Sequence, residues 1–225
     1  MPAAVVFAGA SAPVLAVLAA GGLTEAALTD GERDRADAFH FATDRTDFVA
    51  AHLLVRYGVG RHTGLPATEV MIQQRCDECG ETTHGRPTVP GVPVRLSWAH
   101  GRGYVAAAAA AVPIGVDVER QDRPDGAADL AGLYASALAP REVDLVRAAP
   151  DPGAAFRRFW VRKEAAVKLG LATLDTLCDL DLSALGLATG AARWDGLHLL
   201  DWTDLGDTVA GAAVSTDPPV LTRLG

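Results

Sequence analysis

The alternation of apolar and polar positions divides the chain into strands and helices before any chemistry is considered. Val5-Val6-Phe7 is a short apolar run that predicts a buried strand. The apolar stretch continues to Ala20, broken by Gly9, Ser11 and Pro13, and predicts a short helix after that strand. Residues 24–38 are polar and predict a helical region with Asp30 and Glu32 near its start. A clearer helix follows, with Asp44 or Thr46 as its cap and Phe48, His52, Val55 and Val59 at helical spacing. Gly58, Gly60 and Gly64 are expected to end it. Residues 69–75 predict a strand, and the glycines and prolines from Cys76 to Pro93 predict a loop.

Val94–Trp98 predicts a further strand and Ala99–Gly103 a turn. Ala106–Ala111 is a run of alanines, which favours helix by intrinsic propensity. The run is short and bounded by Gly103 and Pro113, so a buried strand over Tyr104–Ala111 is the reading adopted. In Ile114–Glu119, Val116 and Val118 point to one face of a strand and Asp117 and Glu119 to the other. Residues 127–139 and 140–148 predict two helices, with Pro140 suited to a first turn. Pro152 opens a long helix to Leu169, ended by Gly170, with Phe156, Phe159, Trp160 and Val167 on its apolar face. Residues 193–202 and 207–215 predict strands, and the tail from Asp217 is expected to be loose. The pattern is α+β in two halves joined near Pro113, with subdomains at 1–112 and 113–225. An alanine-rich stretch in each half (Val105–Ala111 and Val209–Val214) suggests a duplicated unit.

Composition narrows the function classes. The chain has 225 residues, 49% hydrophobic and 21% charged, which suffices for a packed core. A net charge of −8 argues against a general nucleic-acid surface, though not against a local basic pocket. Three cysteines make no disulfide framework and point to a reducing, cytoplasmic setting. No Lys or Arg precedes Arg33, which argues against a secretory leader, and no stretch is apolar enough to span a membrane.

Two segments carry the candidate chemistry. Asp117 and Glu119 lie roughly 7 Å apart along one strand face and would repel unless a cation lay between them. A hard, oxygen-loving ion such as Mg2+ accepts such carboxylates together with phosphate oxygens. Trp160, Glu164 and Lys168 share one face of the long helix. Taken singly, the first pair reads as exposed acids and the second as a surface Glu-Lys pair. Cys76, Cys79 and His84 supply three ligands where a structural zinc site takes four, so reduced loop cysteines are favoured over a zinc module.

The order Gly115-Val116-Asp117-Val118-Glu119, about forty residues, then Trp160-x-x-Lys163-Glu164-Ala165-x-x-Lys168 resembles the signature of 4'-phosphopantetheinyl transferases. Length and motif order are similar to the larger, monomeric surfactin-type branch, whose fold pairs two pseudo-twofold α/β subdomains with antiparallel sheets. The resemblance implies Mg2+-dependent transfer of the phosphopantetheine arm of coenzyme A to a serine of an acyl or peptidyl carrier protein, with release of 3',5'-ADP. It implies Asp117, Glu119 and Glu164 as metal ligands, and Lys168 as a contact to the phosphates. Glu164 is the implied acceptor of the serine proton, with Glu142 a looser match for that role. Lys163 belongs to the motif and is expected at the cofactor. Leu54-Val55-Arg56 resembles a helix whose arginine reaches the 3'-phosphate, with Arg45 as its companion. Gly85-Arg86-Pro87 resembles the segment along the nucleotide, and His100 keeps the expected distance to Gly115. Ala99 and Gly101 stand where the family has serines, which removes one hydroxyl contact to phosphate. The alternative is a relative that binds coenzyme A or a carrier protein without catalysing transfer.

Overall fold

The computed structural model describes residues 4–75, 79–81, 85–121 and 127–225. In chain order these form β1 (Ala4–Ala10), α1 (Ser11–Ala20), α2 (Asp30–Asp37), α3 (Ala42–Thr63), β2 (Gln73–Arg75), β3 (Arg86–Thr88), β4 (Arg95–Gly101), β5 (Tyr104–Ala110) and β6 (Ile114–Arg120). They continue with α4 (Ala127–Ala137), α5 (Pro140–Ala148), α6 (Pro152–Leu169), β7 (Gly190–Trp194), β8 (Leu197–Asp204), β9 (Val209–Ser215) and β10 (Pro219–Arg223). The class is mixed α+β with largely antiparallel sheets.

The two alanine-rich stretches are inner strands of two four-stranded sheets, ordered β10-β1-β5-β4 and β6-β9-β8-β7. Alanine is a poor strand former, and here packing on both faces overrides propensity. Val105, Ala107 and Ala109 of β5 join the core that holds Phe48, Val49 and Leu53 of α3. Ala106, Ala108 and Ala110 turn the other way, into a core with Val116 and Val118 of β6 and Ala213 of β9. Small side chains therefore let a helix and a second sheet approach the same strand closely. Val161 and Ala165 of α6 cover the far face of the second sheet, against Leu199, Ala210, Ala212 and Val214. The layers run from α3 through the two sheets to α6, and the facing edges β4 and β6 meet where the buried Ser97 hydroxyl accepts from Val116 N–H at 3.1 Å.

Several boundaries differ from the sequence expectation. α3 begins at Ala42, and the Thr46 hydroxyl donates back to the Ala42 carbonyl instead of capping. The helix runs through Gly58 and Gly60 and stops at Gly64, whose φ of 84° closes it. Residues 69–75 contribute strand only at Gln73–Arg75. The stretch 193–202 is two strands: Asp195 and Gly196 both have positive φ, which turns β7 into β8 as a tight hairpin. The tail is not loose. β10 pairs in parallel with β1, Val5 opposite Val220, and Arg223 reaches the Asp204 carboxylate at 3.2 Å. Among the described residues no helix is long and apolar enough to cross a membrane.

Candidate active site

α6 is built to lie tightly on β6. Asp151 caps its start by accepting from Ala154 N–H at 2.9 Å, Pro152 occupies the first turn, and Gly170 ends it at a φ of 96°. Across from it, Gly115 leaves no room for a side chain: a Cβ there would overlap the Ala165 carbonyl oxygen and lie 2.9 Å from Leu169 N. The missing Cβ brings the helix backbone onto the strand, so that side chains on the two elements reach each other.

The strand bearing Asp117 and Glu119 does face the helix bearing Glu164 and Lys168. The Lys168 ammonium donates to Asp117 Oδ1 at 2.8 Å, to the Val116 carbonyl at 3.1 Å and to the Trp98 carbonyl at 3.3 Å. About two turns earlier on the same helix face, Trp160 Nε1 donates to Glu119 Oε1 at 3.3 Å. Glu164 sits between these two anchors on α6. Asp117 is 6% exposed, and its second oxygen, Oδ2, is buried without a partner.

The electrostatics of the three acids are those of a site short of positive charge. Burial pushes the Asp117 carboxyl up, although Lys168 opposes it. Burial and then the Asp117 charge push Glu119 up, with a smaller push from Glu164. Burial and Asp117 likewise raise Glu164. Among the described residues no three His, Cys, Asp or Glu side chains converge tightly enough to form a ready-made metal cage. Asp117 Oδ2 is a buried carboxylate oxygen without a partner, and carboxylate oxygens are the donors that a hard divalent cation takes.

Lys168 also lines a cleft of about 590 Å³ that opens between the two halves. Arg86, Pro87 and His100 line it, and so do Phe48, His52 and Trp98. Burial pushes the His100 imidazole down, with Asp47 opposing and His52 and Lys168 adding to the effect. Two arginines that the sequence motifs did not single out, Arg35 and Arg95, also line the cleft. Arg35 lies 5.2 Å from the centre of the Phe48 ring. Helical spacing of Glu32 and Arg35 on one side of α2 is a signal that could have found it. At Gly101 a Cβ would meet no heavy atom within 4 Å, so the position of the absent serine is open space.

Four expected site residues are placed elsewhere. Arg45 is half-buried and forms ion pairs with Glu25 at 2.8 Å and Asp37 at 3.1 Å. Arg56 is fully buried, bonded to Glu32 at 2.6 Å and to the His52 carbonyl at 2.8 Å. It ties α2 to α3 and is not presented to the cleft, because an uncompensated guanidinium in the core must find a carboxylate. Burial alone would raise Glu32, but hydrogen bonds from His52 and Arg56, the Arg56 charge and the Thr29 N–H hold it down at about 2. A carboxyl depressed in the fold stabilises it above its unfolded range and loses that contribution as pH falls. Glu32→Gln is therefore expected to cost about 3 kcal/mol at neutral pH, by leaving Arg56 buried without its carboxylate. The gap to wild type should close as pH falls from about 4.5 towards 2, as read by urea unfolding across that range.

Glu142 and Lys163 form a second buried pair, at 2.7 Å, with both side chains fully covered. Glu142 also accepts from the Ala139 and Leu182 N–H groups, and Lys163 donates to the Leu177 carbonyl. Both groups are thus committed to pinning α5, α6 and the 177–182 connection together. Lys163→Met should lower stability by about 3–5 kcal/mol by stranding the Glu142 charge. In Glu142→Gln/Lys163→Met the two costs should fall well short of additive, measured by chemical denaturation.

Cys76 and His84 lie outside the described residues, and Cys79 is exposed. Residues 113–203, which hold β6, α6 and the acids, match the family model of the 4'-phosphopantetheinyl transferase superfamily. The matched segment is less than half of the chain and excludes the strands and helices that line the other side of the cleft. A search of curated proteins finds no match.

Proposed function

We propose that this protein transfers the 4'-phosphopantetheine group of coenzyme A to a serine of an acyl or peptidyl carrier protein, in the presence of Mg2+. The carrying observation is the contact of Lys168 with Asp117, which joins the acid cluster to the cleft within the segment that matches the superfamily. The serine oxygen forms a bond to the β-phosphorus of coenzyme A. The bond from that phosphorus to the bridging oxygen breaks, and 3',5'-ADP leaves.

Asp117, Glu119 and Glu164 would hold Mg2+, which supplies positive charge to the pyrophosphate when bound. Arg86 and Lys168 neutralise phosphate charge along the cleft, and His100 donates to or accepts from the nucleotide as a neutral imidazole. Glu164, with its carboxyl raised by burial and by Asp117, takes the serine proton. Arg35 and Arg95 take the place of Arg45 and Arg56 as the cationic side chains beside the nucleotide.

The same reading assigns the chain to the surfactin-type branch, with a monomer as the active species and the cytoplasm as its setting. Subdomains 1–112 and 113–225 would be copies of one unit. In support, each half lays one long helix over a sheet with an alanine-rich inner strand, α3 over β5 and α6 over β9. Incubation of purified protein with coenzyme A, Mg2+ and apo carrier proteins, followed by intact mass measurement, tests the proposal. One phosphopantetheine per carrier is expected, with none when Mg2+ is chelated.

A further inference from the structure

One histidine in the cleft wall has its protonation dictated from another helix. His52 of α3 lines the cleft, and its ring turns Nδ1 to Glu32 Oε1 of α2 at 2.7 Å. Burial alone would raise the Glu32 carboxyl, but bonds from His52, from Arg56 at 2.6 Å and from the Thr29 N–H at 2.8 Å hold it down at about 2. Glu32 is therefore a carboxylate that only accepts, and the proton of the shared bond sits on His52 Nδ1. Burial pushes the imidazole itself down, with Glu32 opposing and Arg56 and Arg35 adding to the effect, so the ring is neutral. A neutral imidazole with its proton on Nδ1 carries a bare lone pair on Nε2. Among the described residues nothing donates to that nitrogen. Phe48 lies against the ring at 4.0 Å between centroids, and Trp98 meets it edge-on at 5.1 Å. The side chain is only 4% exposed, so a ligand group that reaches Nε2 does so out of bulk water.

We infer that His52 selects the ligand of this cleft, as a buried acceptor whose tautomer Glu32 fixes. It takes an uncharged N–H or O–H donor and disfavours an ionised phosphate, which has only lone pairs to offer. The inference rests on the reading of the cleft as the coenzyme A site. Two groups of that nucleotide supply such a donor: the 6-amino group of the base and the 2'-hydroxyl of the ribose. The apolar faces of Phe48 and Trp98 suit a base or a sugar, whereas Arg86 and Lys168 of the same cleft suit the phosphates.

Calorimetry with 3',5'-ADP, its 6-oxo analogue and its 2'-deoxy analogue separates the two sources. The analogue that lacks the donor meeting His52 is expected to bind wild type about tenfold more weakly than 3',5'-ADP, because the acceptor is left buried and unpaired. In His52→Phe, which keeps an aromatic ring against Phe48 and Trp98, that difference should vanish. Nitrogen-15 NMR of the wild type adds a readout that a merely structural histidine would not move, and it decides the matter if the variant does not fold. The free protein should show Nδ1 protonated and Nε2 bare. The Nε2 resonance should shift with saturating 3',5'-ADP, and with neither the discriminated analogue nor inorganic pyrophosphate. Three nucleotides that bind wild type alike, a discrimination that survives His52→Phe, or a proton on Nε2 overturns the proposal. A wild type that modifies carriers yet treats the three nucleotides alike removes only the role of His52. One that binds none of them removes the coenzyme A reading as well.

Discussion

Asp117→Asn is expected to lower transfer by on the order of 1,000-fold while the protein remains folded. The change preserves shape but removes the charge that Lys168 and the proposed cation share. Asp117 is nearly covered, and its Oδ2 has no protein partner, so a neutral amide there leaves no comparable donor for a divalent ion. Lys168 keeps the Val116 and Trp98 carbonyls as acceptors and is itself partly exposed, which limits the stability loss to about 1–2 kcal/mol. Circular dichroism and urea unfolding check the fold, and Mn2+ binding should be weakened with the activity. A variant that loses its fold together with its activity would show that Asp117 is a structural residue first.

Gly115→Ala tests a different link, from backbone packing to chemistry. The added methyl would overlap the Ala165 carbonyl, a backbone atom in the middle of a helix, so the whole of α6 must move. Overpacking of this kind costs about 3 kcal/mol. A shift of about 1 Å would part Lys168 and Trp160 from the two acids they hold and is expected to reduce transfer on the order of 100-fold. Coenzyme A binding through His100, which is carried by β4 and not by α6, should change far less, as measured by calorimetry. Full transfer activity in this variant would contradict the role given to the close approach of α6 and β6.

Local chemistry made much of this legible in the sequence. α6 has the expected bounds because Pro152 and Gly170 act through neighbouring backbone alone. β5 is a strand although alanine prefers helix, and Gly103 and Pro113 were the readable hint, since the physical cause lies in α3 and β6 far along the chain. Alternation along β6 placed Val116 and Val118 in the core and Asp117 and Glu119 towards α6, as the strand period requires.

Long-range pairing was not legible. Arg56 carries a motif resemblance, yet its partner Glu32 lies on another helix, and only packing shows the two buried together. Glu142 and Lys163 each look like site residues until the fold closes them on one another. The Asp195-Gly196 hairpin was written in the sequence but masked by apolar residues on both sides of it. β10 depends wholly on the distant edge of β1.

The central claim, that the acids of β6 and α6 serve phosphopantetheine transfer from this cleft, is tested most directly by intact mass spectrometry of an apo carrier protein after incubation with coenzyme A, Mg2+ and the wild-type protein. The expected result is one added phosphopantetheine per carrier with stoichiometric 3',5'-ADP, abolished by chelation and by Asp117→Asn. Unmodified carriers across acyl and peptidyl types, or modification that persists in Asp117→Asn, would contradict it.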